Sequence, residues 1–372
     1  MSLRKNISCI LFPLTCWYAV GVWCRNMLFA LGIKKQEAPH ITTIGVGNLS
    51  TGGTGKTPHV EYLLKLLSDH YATALLSRGY KRKTKGYLLD DGSHDSRLLG
   101  DEPAMLAAKF PGVQVAVCEK RVEGVRQLMA QERVEQGPDG EEVHISTAPQ
   151  LILLDDVFQH RYIKPTINIL LSEYQHPFSR DHILPYGDLR EFKSARFRAN
   201  IVIITKSPAT LNPIERHNIV QGLKLQNCQK VFFSYFKYLP LRTPDGRSVD
   251  IDLRRVDNVL VITGIAHPEP LVAELRTHTR VQHLAFPDHH DFSARDIAHI
   301  KAVFAKLPGS NNIVVTTEKD ATRLVGRHEG LPLYVQPVEV AFHQSPDMDF
   351  DQIIEASVKE NISFLSKLSI WN

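Results

Sequence analysis

The chain has 372 residues, of which 43% are hydrophobic and 23% charged, a composition typical of a globular protein that is too long for one small domain. Its formal net charge of +4 is too small to indicate a nucleic-acid partner, although it suits anionic substrates or an anionic membrane surface. The five cysteines form no CxxC pair, which excludes the usual zinc spacing and a disulfide framework and favours a reducing, cytoplasmic compartment.

Residues 1–35 form an apolar segment that we interpret as a helix at a membrane interface. Two positive charges precede an uncharged stretch over 7–22, and the segment contains Trp17, Trp23 and Arg25, residue types that favour an interfacial position. The uncharged stretch is shorter than the roughly 20 apolar residues that a spanning helix needs. A signal peptide lacks a convincing small-x-small cleavage site here, and a buried core helix is the remaining alternative.

Short apolar strands then alternate with helices. A strand over 41–47 precedes a glycine-rich loop, and residues 58–69 carry apolar side chains at helical spacing. Further strands are predicted over 72–77, 113–118, 151–156, 167–171 and 201–205, a helix over 100–109 and an exposed polar insertion over 131–149. This alternation predicts an α/β fold with a doubly wound, mostly parallel sheet.

A second, smaller α/β lobe is predicted after the first sheet. Its strands over 259–263, 281–286 and 313–317 alternate with helices near 268–277 and over 294–306, and Ser293 with Asp296 resembles a capping box for the last of these. The predicted organisation is a membrane-interface helix (1–35), a first α/β domain (36–225), a β-ribbon linker (226–250), the smaller lobe (251–345) and a C-terminal helix that returns to the first domain (346–372).

The glycine-rich loop has the sequence of a phosphate-binding loop. It comprises Ser50, Thr51, Gly52, Gly53, Thr54, Gly55, Lys56 and Thr57. In such a loop the backbone N–H groups and the following helix cradle the phosphates of ATP, Lys56 reaches the β- and γ-phosphates, and the Thr57 hydroxyl ligates Mg²⁺. Ser50 stands where the usual pattern has Gly or Ala, and an ordinary glycine-rich turn is the alternative interpretation.

Two adjacent carboxylates, Asp155 and Asp156, end the apolar strand over 151–156. Ligands bind at the carboxyl ends of parallel strands, and a second Mg²⁺-handling carboxylate is expected there beside a phosphate loop. Two acids at one place are costly without a cation. Solvated loop aspartates are the alternative.

Two short patterns limit the class of nucleotide-binding protein. Pro208 follows Thr205-Lys206-Ser207 at the position where a guanine-reading motif needs Asp, which disfavours GTP. Thr51 stands where partition-type ATPases have a signature lysine. Both patterns favour an ATP-dependent kinase over a nucleotide switch.

A set of motifs along nearly the whole chain resembles the tetraacyldisaccharide 4′-kinase family of lipid A biosynthesis in Gram-negative bacteria. The motifs are Val46-Gly-Asn-Leu-Ser-Thr-Gly-Gly-Thr-Gly-Lys-Thr-Pro58, Ser77-Arg-Gly-Tyr80, Gly100-Asp-Glu-Pro103, Leu154-Asp-Asp-Val-Phe-Gln-His160, Pro185-Tyr-Gly-Asp-Leu-Arg-Glu191, Thr263-Gly-Ile-Ala266, Phe286-Pro-Asp-His-His290 and Thr317-Glu-Lys-Asp320. Val157 departs from the glycine usual in the family, which we expect to alter only local backbone freedom.

The resemblance implies a reaction and a set of catalytic residues. ATP, with Mg²⁺, would phosphorylate the 4′-hydroxyl of a tetraacyl glucosamine disaccharide 1-phosphate. Asp101 would be the base for that hydroxyl, oriented by His289, with His290 as the alternative, and Arg190 would neutralise γ-phosphate charge. A loop histidine and a surface ion pair are the ordinary alternatives for the histidines and for Arg190.

The resemblance also suggests further metal ligands and a cellular setting. Glu102 and Glu191 would join Thr57, Asp155 and Asp156 around Mg²⁺, although Glu102 could simply favour its helix N-terminus and Glu191 a surface ion pair. The partners would be the lipid substrate and the anionic inner-membrane surface, with no obligate protein partner, and the enzyme would lie peripherally or monotopically on the cytoplasmic face. The alternative function is a nucleotide-switched, membrane-associated P-loop ATPase that acts on a protein partner.

Overall fold

The protein divides into two units. Its computed structural model describes residues 8–136, 142–265, 267–288, 290–324, 326, 330–345 and 348–369. The first comprises Met1–Phe236 with Val340–Asn372, and the second comprises Lys237–Glu339. The described strands are β1 (Thr42–Asn48), β2 (Thr73–Ser77), β3 (Leu88–Leu89), β4 (Gln114–Val117), β5 (Glu132–Gln136), β6 (Glu142–Ser146), β7 (Leu151–Asp155), β8 (Ile167–Glu173), β9 (Ile201–Thr205), β10 (Lys230–Tyr238), β11 (Asn258–Thr263), β12 (Arg280–Ala285), β13 (Asn312–Thr317), β14 (Leu333–Gln336) and β15 (Val338–Phe342). The described α-helices are α1 (Ser8–Ala30), α2 (Lys56–Leu67), α3 (Ser96–Leu99), α4 (Asp101–Lys109), α5 (Arg121–Met129), α6 (Pro213–Leu223), α7 (Glu269–Arg276), α8 (Ala294–Phe304), α9 (Glu318–Leu324) and α10 (Phe350–Ser369).

In the described part of the chain, β1 lies in the middle of a nine-stranded sheet. The strand order is β15-β10-β9-β8-β1-β7-β2-β4-β3. β1 pairs in parallel with β7 on one side and β8 on the other, further parallel strands extend the sheet, and β3 is antiparallel to β4. This confirms the predicted α/β fold with a mostly parallel sheet. It also brings the carboxyl ends of β1 and β7 side by side, where ligands bind in such folds.

Helix α2 packs one apolar face on this sheet. The predicted helical spacing is confirmed, since Val60, Leu63, Leu64 and Leu67 are all buried, and each such side chain stabilises the fold by roughly 1.5–3 kcal/mol on burial. The same hydrophobic cluster contains Phe350, Ile354 and Val358 from α10, spaced by one helical turn. The last helix therefore shares the core that fixes α2 behind the phosphate loop.

The second unit is a smaller α/β layer around a four-stranded sheet. Its strand order is β12-β11-β13-β14, and all three pairings are parallel. Separate hydrophobic clusters cover the two faces of this sheet. Ser293 and Asp296 form the predicted capping box at the start of α8.

Two predicted segments differ from the structure. Residues 226–250 do not form a separate β-ribbon linker, because β10 is a strand of the large sheet, parallel to β9, and the change of unit falls inside it. An aromatic run next to a turn has the local pattern of a ribbon, and only the sheet neighbours reveal the difference. Within the segment predicted to be a polar insertion (131–149), the described residues include an antiparallel pair, β5 with β6.

Helix α1 exposes most of its apolar side chains. The exposed side chains are Phe12, Leu14, Trp17, Tyr18, Val20, Trp23 and Met27. The alternative interpretation of this segment as a buried core helix is therefore wrong for the isolated chain. Within the described residues, no helix combines the length and the hydropathy needed to cross a membrane.

Candidate active site

The phosphate loop lies between β1 and α2, and buried polar side chains support it. Gly55 caps α2 with φ of 86°, a left-handed conformation that favours glycine. Asn48 at the end of β1 donates from Nδ2 to Thr54 Oγ1 at 2.9 Å, and Thr205 at the end of β9 donates from Oγ1 to the Thr54 carbonyl at 2.9 Å. The loop is thereby held at the carboxyl ends of two strands, where its backbone can cradle phosphates.

His59, one turn into α2, binds the same loop. Nδ1 lies 2.7 Å from the Gly55 carbonyl oxygen and Nε2 lies 2.9 Å from Ser234 Oγ. The carbonyl can only accept, so Nδ1 carries the proton and Nε2 accepts from the hydroxyl. Burial lowers the pKa of His59 to about 4, although the bond to Gly55 acts in the other direction. His59 is therefore a neutral, single-tautomer support of the loop, and sequence analysis did not single it out.

The residues over 186–191, which we call the 186–191 segment, hold the first part of the loop. Thr51 N donates to the Asp188 carbonyl at 2.7 Å, and Arg190 N donates to the Leu49 carbonyl at 2.8 Å. These backbone bonds tie the Leu-Arg-Glu motif to the phosphate loop. The sequence suggested a common site for the two motifs, and the hydrogen bonds give the connection.

Asp155 ends β7 next to β1, across from Val46. Its carboxylate is buried, and Oδ2 accepts from Ser77 Oγ at 2.9 Å. Burial raises the pKa of Asp155 to about 6, and the negative charges of Asp156 and Glu102 add to the rise. A cation at this position would lower that pKa and favour the carboxylate form.

Asp156 follows with φ of 48°, so that the second acid leaves the strand direction. Its Oδ1 lies 3.6 Å from Lys56 Nζ and its Oδ2 lies 3.6 Å from Arg190 Nη1. Burial alone would raise the pKa of Asp156, but Lys56 and Arg190 hold it below its usual value. The structure thus brings the loop lysine, the second aspartate and the predicted Arg190 together.

The acid pair fits a magnesium ion. Oδ1 of Asp155 and Oδ1 of Asp156 are buried and have no hydrogen-bond partner, so both are available as ligands. Among the described residues there is no group of three or more His, Cys, Asp or Glu side chains that could hold a metal alone. Mg²⁺ is commonly bound by one or two carboxylates together with substrate phosphates, so this donor set suits a metal that arrives with a nucleotide.

Two basic groups next to the acid pair, the buried Arg121 and the half-buried His160, were not predicted to be catalytic. Arg121 donates from Nη2 to the Asp155 carbonyl at 2.8 Å, and burial lowers its pKa to about 10 although Asp155 and Asp156 oppose the change. Burial also lowers the pKa of His160 to about 4, aided by Arg121. An arginine that opens a helix has no sequence pattern that distinguishes it from a surface residue, so Arg121 could not be singled out.

The Ser77-Arg-Gly-Tyr80 and Gly100-Asp-Glu-Pro103 motifs approach each other closely. A Cβ on Gly100, whose φ is 93°, would lie 3.0 Å from the Tyr80 carbonyl oxygen. This glycine places Asp101 and Glu102 in the first turn of α4. The negative charge of Glu102 adds to the rise in the pKa of Asp155.

Glu191 occupies a different environment from the one predicted. Its carboxylate is 1% exposed, and its two oxygens pair with Arg25 Nη2 at 2.7 Å and Arg198 Nη2 at 2.8 Å. Both oxygens are committed to arginines, so Glu191 does not have a carboxylate oxygen available for the predicted role of magnesium ligand. Sequence alone could not show this, because Arg25 is distant in the chain and Arg198, although close, belongs to no recognisable motif.

The predicted His290 and two further motifs lie in the second unit. The Thr263-Gly-Ile-Ala266 and Thr317-Glu-Lys-Asp320 motifs meet there, since Gly264 N donates to Asp320 Oδ2 at 2.9 Å. His290 Nε2 lies 3.0 Å from Asp296 Oδ2 in the capping box. His289 lies outside the described residues.

A glycine-rich loop between a central strand and a helix, with a lysine facing a carboxylate at the end of the neighbouring strand, defines the class of P-loop nucleotide-binding proteins. The family model described as tetraacyldisaccharide-1-P 4′-kinase matches residues 7–359. The chain belongs to this family.

Relatives of similar length support the assignment. A tetraacyldisaccharide 4′-kinase of Bacteroides fragilis (strain YCH46) is 43% identical over 364 residues, covering 94% of this chain and 93% of the relative. One of Flavobacterium johnsoniae is 39% identical, covering 97% and 98%. A crystal structure of LpxK from Aquifex aeolicus, an "apo" form in complex with ATP, has a TM-score of 0.68 and 26% identity, covering 96% of this chain and 99% of that one. The predicted resemblance is thereby confirmed, and the switch ATPase alternative is not favoured.

Proposed function

We propose that this chain transfers the γ-phosphate of ATP to the 4′-hydroxyl of a tetraacyl glucosamine disaccharide 1-phosphate. The hydroxyl oxygen forms a bond to the γ-phosphorus, the bond from that phosphorus to the bridging oxygen breaks, and ADP leaves. The observation that carries the proposal is the position of Lys56 beside Asp156, 3.6 Å apart, at the carboxyl ends of adjacent strands.

Positioning and charge neutralisation supply most of the catalysis of phosphoryl transfer. In this proposal the backbone of residues 50–57 holds the β- and γ-phosphates, and Lys56 neutralises their charge. Arg190, whose Nη1 lies 3.6 Å from Asp156 Oδ2, approaches the transferred group from the 186–191 segment. Because these cations are fixed before the reaction, they need little reorganisation as charge develops.

The proposed magnesium ligands are Thr57, Asp155 and Asp156, with Glu102 nearby. When bound with ATP, Mg²⁺ neutralises phosphate charge and orients the γ-phosphate. The Oδ1 atoms of the two aspartates are buried without a hydrogen-bond partner, which supports this assignment. Burial and the neighbouring charges of Asp156 and Glu102 raise the pKa of Asp155, so a divalent cation that offsets these charges is favoured at this site.

Asp101 is the proposed base for the 4′-hydroxyl proton, with His289 as its orienting partner by resemblance to the family. The position of Asp101 in the first turn of α4, beside Glu102, keeps it in the same unit as the phosphate loop. A carboxylate is a suitable acceptor because the proton moves only as the bond to phosphorus forms.

The proposed setting is the anionic surface of the inner membrane, on its cytoplasmic face. The exposed aromatic and aliphatic side chains of α1 support an interfacial position, since amphipathic aromatic residues favour the membrane–water boundary. We infer that the acyl chains of the substrate remain close to this surface while its sugar hydroxyl reaches the phosphate loop.

Transfer of γ-³²P from ATP to the purified disaccharide 1-phosphate in detergent micelles tests the proposal. We expect labelled lipid and one ADP per phosphate transferred, and no ADP formation when the lipid is omitted. A folded, ATP-binding protein that releases ADP without labelling lipid would contradict the kinase assignment. ADP release that depended on vesicles alone would instead favour a nucleotide switch.

A further inference from the structure

Helix α1 contacts the 186–191 segment through three polar side chains. Thr15 Oγ1 accepts from Tyr186 N at 3.2 Å, and Tyr18 Oη donates to the Arg190 carbonyl at 3.0 Å. Arg25 donates from Nη2 to Glu191 Oε1 at 2.7 Å. These three residues are spaced along the helix, so the contact runs over about three turns.

The contact between Arg25 and Glu191 is the most constrained of the three. Glu191 is almost fully buried, and Arg198 holds its second oxygen at 2.8 Å. Removing one partner from a buried ion pair leaves a charge that is poorly compensated. Arg25 thus has a defined place, although its own side chain is 36% exposed.

The other face of the 186–191 segment belongs to the active site. Asp188 accepts from Thr51 N of the phosphate loop at 2.7 Å through its carbonyl. Arg190 points its Nη1 towards Asp156, 3.6 Å away. A few residues therefore separate the contacts of α1 from the contacts of the phosphate loop and the acid pair.

We propose that Arg25 and Tyr18 are positioning residues of the kinase, which fix Arg190 beside Asp156 by way of Glu191 and the Arg190 carbonyl. This inference rests on the proposed function. It gives α1 a role besides any attachment to lipid: the helix sets the geometry of a phosphate-neutralising cation. Anchoring by the exposed side chains and positioning by the polar ones are then separable properties of one helix.

Substitutions on α1 can separate the two properties. Arg25→Met keeps the aliphatic stem but removes the charge, Arg25→Lys restores a cation, and Tyr18→Phe removes only the hydroxyl. The matched control is Trp17→Ser, because the Trp17 side chain is 77% exposed. Lipid labelling is measured against lipid and ATP concentration, and binding to vesicles of anionic phospholipid is measured by sedimentation.

For Arg25→Met we expect kcat to fall about tenfold at saturating lipid, since misplacement of a catalytic group by about 1 Å can cost more than that. Vesicle binding should stay at the wild-type level, and Arg25→Lys should recover most of the rate. Tyr18→Phe should lower kcat by a smaller factor. Trp17→Ser should show the opposite pattern to Arg25→Met: vesicle binding should weaken and the KM for lipid should rise, while kcat should not change.

Two results would overturn the inference. One is a kcat for folded Arg25→Met within about twofold of wild type. The other is a loss of labelling rate in Arg25→Met that disappears at saturating lipid, because such a loss would come from weaker anchoring to the lipid. If Arg25→Met does not fold, Tyr18→Phe decides: an unchanged kcat overturns the inference. Failure of the wild type to label lipid would instead contradict the proposed function.

Discussion

Lys56 Nζ lies 3.6 Å from Asp156 Oδ1, so the cation of the phosphate loop faces the carboxylate that follows β7. The proximity lowers the pKa of Asp156 against the effect of burial, and it also opposes the rise in the pKa of Asp155. One lysine therefore has two effects: it is the proposed ligand of the ATP phosphates, and it favours the ionised form of both carboxylates.

The first prediction concerns Lys56→Met. Transfer to lipid should fall by about two to three orders of magnitude, because a preorganised positive charge at the transferred phosphate is lost. ATP affinity should also fall, as measured by equilibrium binding of a fluorescent ATP analogue.

Lys65→Met is the control for this change, since Lys65 is an exposed lysine in the last turn of the same helix. Its kcat and ATP affinity should remain at the wild-type level. Equal losses in the two variants would show that the effect comes from the helix and not from the phosphate loop.

The second prediction concerns Asp155→Asn. The amide keeps an oxygen that can accept from Ser77, but it removes a buried charge that Asp156 and Glu102 disfavour. We expect the free energy of unfolding without metal to rise by about 1 kcal/mol, as is common when an active-site charge is removed. The Mg²⁺ concentration for half-maximal transfer should rise by about tenfold or more, because one ligand is lost.

Thermal unfolding in the presence of a chelator and a magnesium titration of lipid labelling measure these two effects. Asp69→Asn, an exposed aspartate beyond α2, serves as the control and should change neither quantity. A less stable Asp155→Asn protein with an unchanged magnesium requirement would contradict the assignment of Asp155.

The third prediction concerns the proposed base. Asp101→Asn should lower kcat by about two to four orders of magnitude, the usual contribution of general base catalysis, while the affinity for ATP changes little. His289→Ala should cause a smaller loss in kcat without a change in ATP affinity. Initial rates of lipid labelling and the ATP-analogue binding assay measure both quantities.

His290→Ala is the matched comparison for His289→Ala. His290 bonds to Asp296 in the capping box of α8, so its removal should weaken that cap, whose full loss costs about 1 kcal/mol. We expect a lower Tm for His290→Ala and a kcat close to the wild-type value. The reverse pattern, with a large kcat loss only in His290→Ala, would transfer the orienting role to His290.

The sequence predicted those features that depend on local pattern. The apolar spacing of α2, the strand that ends in Asp155 and the capping box at Ser293 all follow from residues close together in the chain, and the structure contains them. Glu191 shows where this approach fails. Its partner Arg25 is 166 residues away, and no local pattern indicates which distant charge a carboxylate will meet.

Val157 shows the same limit on a smaller scale. It was expected to affect only backbone freedom, but its side chain is 3% exposed and packs over Gly45. The sheet neighbours determine that burial, and they are known only once β1 and β7 are paired. His59 is a further case, because its partner Ser234 lies on β10, a strand that the sequence assigned to a linker.

The last prediction concerns the pH dependence of stability through His59. Its folded pKa is about 4, compared with 6.5 for the unperturbed group, so the unfolded chain binds a proton between these values that the folded protein does not. The contribution of His59 to the free energy of unfolding is therefore fully retained above pH 6.5 and is lost as the pH is lowered towards 4, by about 3 kcal/mol in total.

His59→Gln has no titrating ring. Its free energy of unfolding, measured by urea denaturation, should therefore fall less steeply than that of wild type between pH 7 and pH 4.5. The contributions of His160 and Asp155 are present in both proteins and cancel in the comparison. His70→Gln, which changes an exposed histidine just beyond α2, should keep the wild-type slope. Parallel slopes for wild type and His59→Gln would mean that His59 is not held neutral against Gly55, and its role as a support of the phosphate loop would have to be abandoned.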